Sequence, residues 1–129
     1  RRERSLPKGA PKMTVKRIVA NIAAASVEEV GAFYSELFGL KVVMDHGWIV
    51  TLASEEVART QLGIASEGGS GAPVPELSIE VEDVDAVHQR ALRLGHGIVC
   101  PLTDEPWGVR RFYLRDPTGK LLNILSHID

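Results

Sequence analysis

The chain has 129 residues, 44% of them hydrophobic and 25% charged, which is the make-up of an ordinary globular protein folding as one domain. Its net charge of −2 and isoelectric point near 6.1, with no run of Lys and Arg inside the patterned region, exclude nucleic acid as the expected partner. No apolar stretch reaches the ~20 residues that cross a bilayer and no signal-peptide core is visible, so no membrane contact and a cytoplasmic location are the expectation.

Residues 1–13 hold a basic cluster with Pro7, Gly9 and Pro11 and no hydrophobic period. They read as a disordered extension, with Met13 a candidate start. Residues 17–24 then read as a strand and 26–38 as a helix. Ser26 suits its N-cap, Glu28 and Glu29 suit the positive end of its dipole, and Gly39 suits its stop. Val27, Val30, Phe33, Tyr34 and Leu37 recur at spacings of three and four, a stripe expected to face a sheet. Strands follow at 40–44, 48–53 and 59–65. The stretch EGGSGAPVP then supplies a linker, residues 67–74, expected to be mobile.

The same order begins again about 55 residues further on, which is evidence about architecture in itself. Residues 76–81 form a strand, 84–94 a helix with the line Val84, Val87, Ala91 and Leu94, and Gly95 its stop. Strands at 97–100, 110–115 and 121–126 complete the copy, the last two joined by a tight turn at Asp116-Pro117-Thr118-Gly119. The prediction is an α+β domain, residues 14–129, built from two modules, 14–66 and 75–129, each with one strand, one helix and three strands. The single cysteine, Cys100, excludes an internal disulfide, and after Ile98 and Val99 it reads as a buried, inert thiol.

Period-two reading separates two faces. Leu77, Ile79 and Val81 share one, and Glu76, Ser78 and Glu80 the other. Leu122 and Ile124 likewise oppose Leu121, Asn123 and Leu125 in the last strand. The apolar faces need the helices as cover, which leaves a face with polar groups at intervals to line a cleft.

NIAAASVEEVGAFY (residues 21–34) followed by Leu37-Phe38-Gly39-Leu40 resembles the opening of the glyoxalase/bleomycin-resistance/extradiol-dioxygenase family, the vicinal oxygen chelate proteins. IEVEDVD (79–85), Gly95, EPWGVRR (105–111) and DPTGKLL (116–122) are similar to its C-terminal module, so the resemblance runs from Val15 to Ile128. It implies two βαβββ modules forming a curled mixed sheet with an open cleft, and a homodimer that completes each cleft. Ligands of the family's metal enzymes sit on cleft-facing strand positions, which carry over here to Asn21, Gln61, Glu76 and Asn123. Three amides and one carboxylate match neither a zinc site nor a two-His-one-carboxylate iron site, so no metal cofactor is expected. The alternative is a divalent metal held partly by Gln61 and Glu76. The four histidines, His46, His88, His96 and His127, occupy none of these positions and read as exposed or turn residues, with His46 able to reach the cleft mouth beside Trp48.

Glu76 is the candidate catalytic group, a carboxylate whose pKa an apolar cleft would raise towards that of a base. Trp48 and Trp107 match aromatic positions on which the drug-binding branch of the family stacks planar ligands. Arg111, on the same strand face as Tyr113, is the candidate clamp for a ligand carboxylate. The expected function is therefore metal-independent binding of an aromatic or amphipathic small molecule, an antibiotic or a metabolite. The ligand-contacting set is Asn21, Trp48, Gln61, Glu76, Trp107, Arg111, Tyr113 and Asn123. The alternative is a metal-dependent lyase, isomerase or dioxygenase.

Overall fold

The computed structural model describes residues 14–55 and 61–128, and the expected extension over residues 1–13 lies outside the described residues. The first half comprises β1 (Val15–Ala23), α1 (Val27–Phe38), β2 (Lys41–Asp45), β3 (Ile49–Ala53) and β4 (Gln61–Ala65). The second repeats that order with β5 (Leu77–Val81), α2 (Val84–Arg93), β6 (Ile98–Glu105), β7 (Val109–Arg115) and β8 (Leu121–His127).

The helices begin where their caps dictate. Ser26 Oγ accepts from Glu29 N at 3.2 Å, and Asp83 Oδ1 accepts from Ala86 N at 3.1 Å, each satisfying a first-turn N–H that has no partner within the helix. Helix α1 stops at Gly39, in the left-handed region at φ 71°. Helix α2 gains a second tie to the sheet. Ser126 Oγ accepts from Val84 N at 2.9 Å and donates to Val81 O at 2.8 Å, so β8 and β5 jointly hold the helix start.

All eight strands form one open mixed sheet in the order β2-β3-β4-β1-β5-β8-β7-β6. Within each half the first strand runs parallel to the last, β1 beside β4 and β5 beside β8. The halves join at the centre, where β1 and β5 run antiparallel and Asn21 N donates to Glu76 O at 3.0 Å. Both modules of a single chain thus share one sheet and line one cleft.

Each helix covers its own half of the convex face. Val27, Val50, Leu52 and Ile64 form one core under α1, and Val81, Val84, Ala91, Phe112 and Ile124 form the other under α2. Two parts of the sequence reading change here. Phe33 and Leu37 are 56% and 61% exposed, and Leu94 is 63% exposed, so they leave the apolar stripes assigned to them. The residues of α1 that pack on the sheet are Val27, Val30 and Tyr34. Cys100 is half-buried rather than buried, because β6 is an edge strand. Among the described residues no helix is long and apolar enough to cross a membrane.

Candidate functional site

The uncovered face of the sheet curves into a cleft. Its floor comes from alternate residues of the inner strands, Val19 and Asn21 of β1, Ser78 of β5, and Asn123 and Leu125 of β8. The walls come from Ile49 and Thr51 on β3 and from Val109, Arg111 and Tyr113 on β7. The mouth is framed by Trp48, from the β2–β3 turn, and Trp107, from the corresponding β6–β7 turn. Equivalent turns of the two modules bring these indoles edge to face, with ring centres 5.1 Å apart. His46 stacks on the far side of Trp48 at 6.1 Å and also lines the cleft.

Strand register decides what occupies the centre of the floor. Asn21 pairs with Gly63 across the parallel β1–β4 ladder, and Ser78 pairs with Asn123 across the matching β5–β8 ladder. The four equivalent floor positions are therefore Asn21, Gly63, Ser78 and Asn123. Of the carried-over positions, Asn21 and Asn123 stand on this floor, while Gln61 and Glu76 lie two residues before Gly63 and Ser78 on the same strand faces. Gln61 instead accepts Arg17 Nη1 at 2.7 Å, and Glu76 Oε2 accepts Leu121 N at 2.7 Å, extending the β5–β8 ladder. Neither lines the cleft.

The floor is bonded as a unit. Ser78 Oγ accepts from Asn21 Nδ2 at 3.0 Å and from Asn123 Nδ2 at 3.2 Å. Asn21 Oδ1 fills the space a side chain at 63 would take, since a Cβ built on Gly63 lies 2.1 Å from it. Asn123 is 9% exposed, and its Oδ1 has no hydrogen-bond partner among the described residues. As a donor set for a resident divalent metal, two amides, a hydroxyl and a glycine do not fit. Transition metals in protein sites take imidazole, thiolate or carboxylate, and no group of three or more His, Cys, Asp or Glu with metal-binding geometry occurs among the described residues.

Arg111 is 5% exposed, and its guanidinium is spent inside the protein. Nε donates to Glu105 Oε2 at 2.9 Å, Nη2 to Gly69 O at 3.0 Å, and Nη1 to both Gly68 O and the Tyr113 hydroxyl. The expected carboxylate clamp is thus a strap that ties the linker to the sheet. The guanidinium carbon also lies 4.9 Å from the Trp107 ring centre and 5.0 Å from that of Tyr113, so its planar cation braces both aromatics. The Tyr113 hydroxyl bonds to Pro73 O at 3.3 Å, and burial pushes its pKa up to about 12 despite the neighbouring Arg111 charge. These bonds pin the segment that composition marked as mobile.

At the other end stands a trio missed by the sequence reading. Glu80 accepts Arg17 Nε at 2.7 Å on one oxygen and meets His127 Nδ1 at 2.9 Å on the other. Arg17 and His127 both line the cleft. Burial opposes the charge on Glu80, but the His127 hydrogen bond and the Arg17 guanidinium outweigh it and hold the carboxyl below its ordinary range. His127 is exposed, as its sequence position implies, with 53% of its side chain accessible, yet it joins this trio. The signal that would have found it is the odd-numbered face it shares with Asn123 and Leu125.

Of the candidate residues, Asn21, Trp48, Trp107, Arg111, Tyr113 and Asn123 converge on the cleft, while Gln61 and Glu76 do not. Among solved structures the chain is similar to an NAD-dependent benzaldehyde dehydrogenase from Legionella pneumophila, with TM-score 0.72, 19% identity, and coverage of 86% of this chain and 99% of that one. It is also similar to a glyoxalase/bleomycin resistance protein/dioxygenase superfamily member from Vibrio splendidus 12B01, with TM-score 0.64, 17% identity, and coverage of 89% and 100%. A methylmalonyl-CoA epimerase from Mycobacterium tuberculosis gives TM-score 0.60, 15% identity, and coverage of 96% and 94%. At these identities the likeness is one of fold. No curated protein sequence matches the chain. Residues 18–129 match the profile of the Glyoxalase-like domain. With two βαβββ halves in one open sheet and that match over most of its length, the chain belongs to the glyoxalase-like family of the glyoxalase/bleomycin resistance/dioxygenase superfamily.

Proposed function

We propose that this protein binds a small, flat, amphipathic organic compound, an antibiotic or a metabolite, in its cleft, and does so without a metal at the floor. The observation that carries the reading is the set of floor residues. The centre of the floor carries Asn21, Ser78 and Asn123 beside Gly63, amide and hydroxyl groups suited to hydrogen bonding rather than to holding a divalent metal. The indoles at the mouth support an aromatic ligand, since stacking and burial on such rings are a large source of binding energy.

Tryptophan fluorescence tests it. Titration with planar, bleomycin- or mitomycin-like compounds is expected to quench emission saturably, and Trp107→Leu to weaken the response at least tenfold. Elemental analysis after incubation with Ni, Zn, Mn and Fe(II) is expected to find no stoichiometric metal, and near-stoichiometric retention would sink the metal-free reading.

A metal-free lyase or isomerase is a second reading, favoured by one feature. The His127–Glu80 hydrogen bond is a geometry in which a carboxylate fixes an imidazole tautomer and leaves its other nitrogen free to move a proton. Homodimerisation is also proposed. The exposed side chains of Phe33, Leu37 and Phe38 on α1 and of Val42 and Val43 on β2 support an apolar contact between copies. Sedimentation showing monomer alone at micromolar concentration would contradict it.

A further inference from the structure

We infer that the cleft floor recognises a neutral N–H/C=O edge, the pairing face of a lactam or other cyclic secondary amide, through Asn123 and Ser78. The inference rests on the small-molecule reading above and specifies the polar group that the flat ligand presents.

Two adjacent atoms carry it. Asn123 Oδ1 is buried on the floor with no donor among the described residues, although its own Nδ2 is used on Ser78. A buried acceptor without a donor carries a desolvation penalty that a ligand N–H removes. Ser78 Oγ accepts from both Asn21 Nδ2 and Asn123 Nδ2, which occupies its two lone pairs. Its remaining capacity is its own proton, which no hydrogen bond within the floor uses. Side by side, β8 offers an acceptor and β5 a donor. A lactam edge supplies the complementary donor and acceptor, two atoms apart, in one plane with its ring.

Two features fix this arrangement. Because position 63 is glycine, the Asn21 amide oxygen lies over β4, which turns Asn21 Nδ2 towards Ser78 and orients the hydroxyl. The two arginines that line the cleft are each paired with a glutamate, Arg17 with Glu80 and Arg111 with Glu105, so neither is a free counter-charge for an anionic ligand. A carboxylate would also set its negative charge against Asn123 Oδ1. An amide edge of no net charge suits both the floor and the apolar surfaces of Val19, Ile49 and Leu125 around it.

The test is isothermal titration calorimetry with three bicyclic probes: isoquinolin-1(2H)-one, its N-methyl derivative and naphthalene. The lactam is expected to bind at least tenfold more tightly than the N-methyl compound, which keeps the ring and carbonyl but has no N–H for Asn123. In Asn123→Leu, with folding checked by a thermal melt, the two should bind alike. Equal affinity of the wild-type protein for lactam and N-methyl lactam would overturn the inference while leaving the aromatic-cleft reading intact. Failure of all three probes to bind would overturn both.

Discussion

Gly69 lies where the two indoles converge on the linker. A Cβ there would stand 2.5 Å from Trp107 Cη2 and 2.9 Å from Trp48 Cη2, and the residue holds φ 89°, which L side chains rarely adopt. Gly69→Ala therefore meets a steric and a backbone penalty together, and should cost about 2–4 kcal/mol in chemical denaturation with a change in tryptophan emission. Tyr113 offers an optical check on the same corner. Its folded pKa of about 12 lies above the ordinary value of 10.0, so burial of the neutral phenol contributes stability below pH 10.0 that is lost as pH rises towards 12. In a Tyr34→Phe protein, phenolate absorbance should appear only at the upper end of that range, and in one step with unfolding if unfolding comes first. Glu80 has the opposite sign. Its folded pKa is held below the ordinary 4.5, so its ion pairs stabilise the fold above that value and fade as pH falls through the folded one. The stability gap between wild type and Glu80→Gln should therefore shrink on acidification below 4.5, as read by denaturant midpoints.

At the scale of elements, capping was more legible than register. Ser26, Asp83 and Gly39 announce helix ends by side-chain chemistry and backbone freedom, which are local properties, and the structure uses each of them so. Ser126 was not legible as a cap, because it sits 42 residues from the helix whose first N–H it accepts. Ser126→Ala removes both that bond and the one to Val81 O, and is expected to cost about 1–2 kcal/mol, with amide exchange accelerated first at the start of α2. The floor shows what strand alternation alone leaves open. Alternation in β5 assigns Glu76, Ser78 and Glu80 to one face, but only pairing with β8 determines that Ser78 stands opposite Asn123. Likewise, long-range bonds decided the fate of Arg111. The face was readable from its neighbours, whereas the partners Gly68 and Gly69 lie more than 40 residues away along the chain and come close only once the sheet is built.

For the whole molecule, the central β1–β5 seam means that the cleft is lined by both modules of one chain. Binding should therefore be stoichiometric with chains, one ligand each, and should persist on dilution into any monomeric form. Analytical ultracentrifugation run beside a calorimetric titration checks this. The repeat itself was plain from element order, since a strand, a helix and three strands recur with the same stops. What the repeat concealed is how differently its two copies are furnished. Asn21 and Gly63 on one side of the seam face Ser78 and Asn123 on the other, and the buried Arg111 has no cationic counterpart on β3.

A near-twofold frame with unlike contents breaks the equivalence of a bound molecule's two ends. A frame with like contents would hold an unsymmetrical guest equally well in two poses a half-turn apart, but this floor favours one of them. The protein should thus select a single orientation and tell mirror-image guests apart, and the paired resonances of a symmetric ligand should split into two sets on binding.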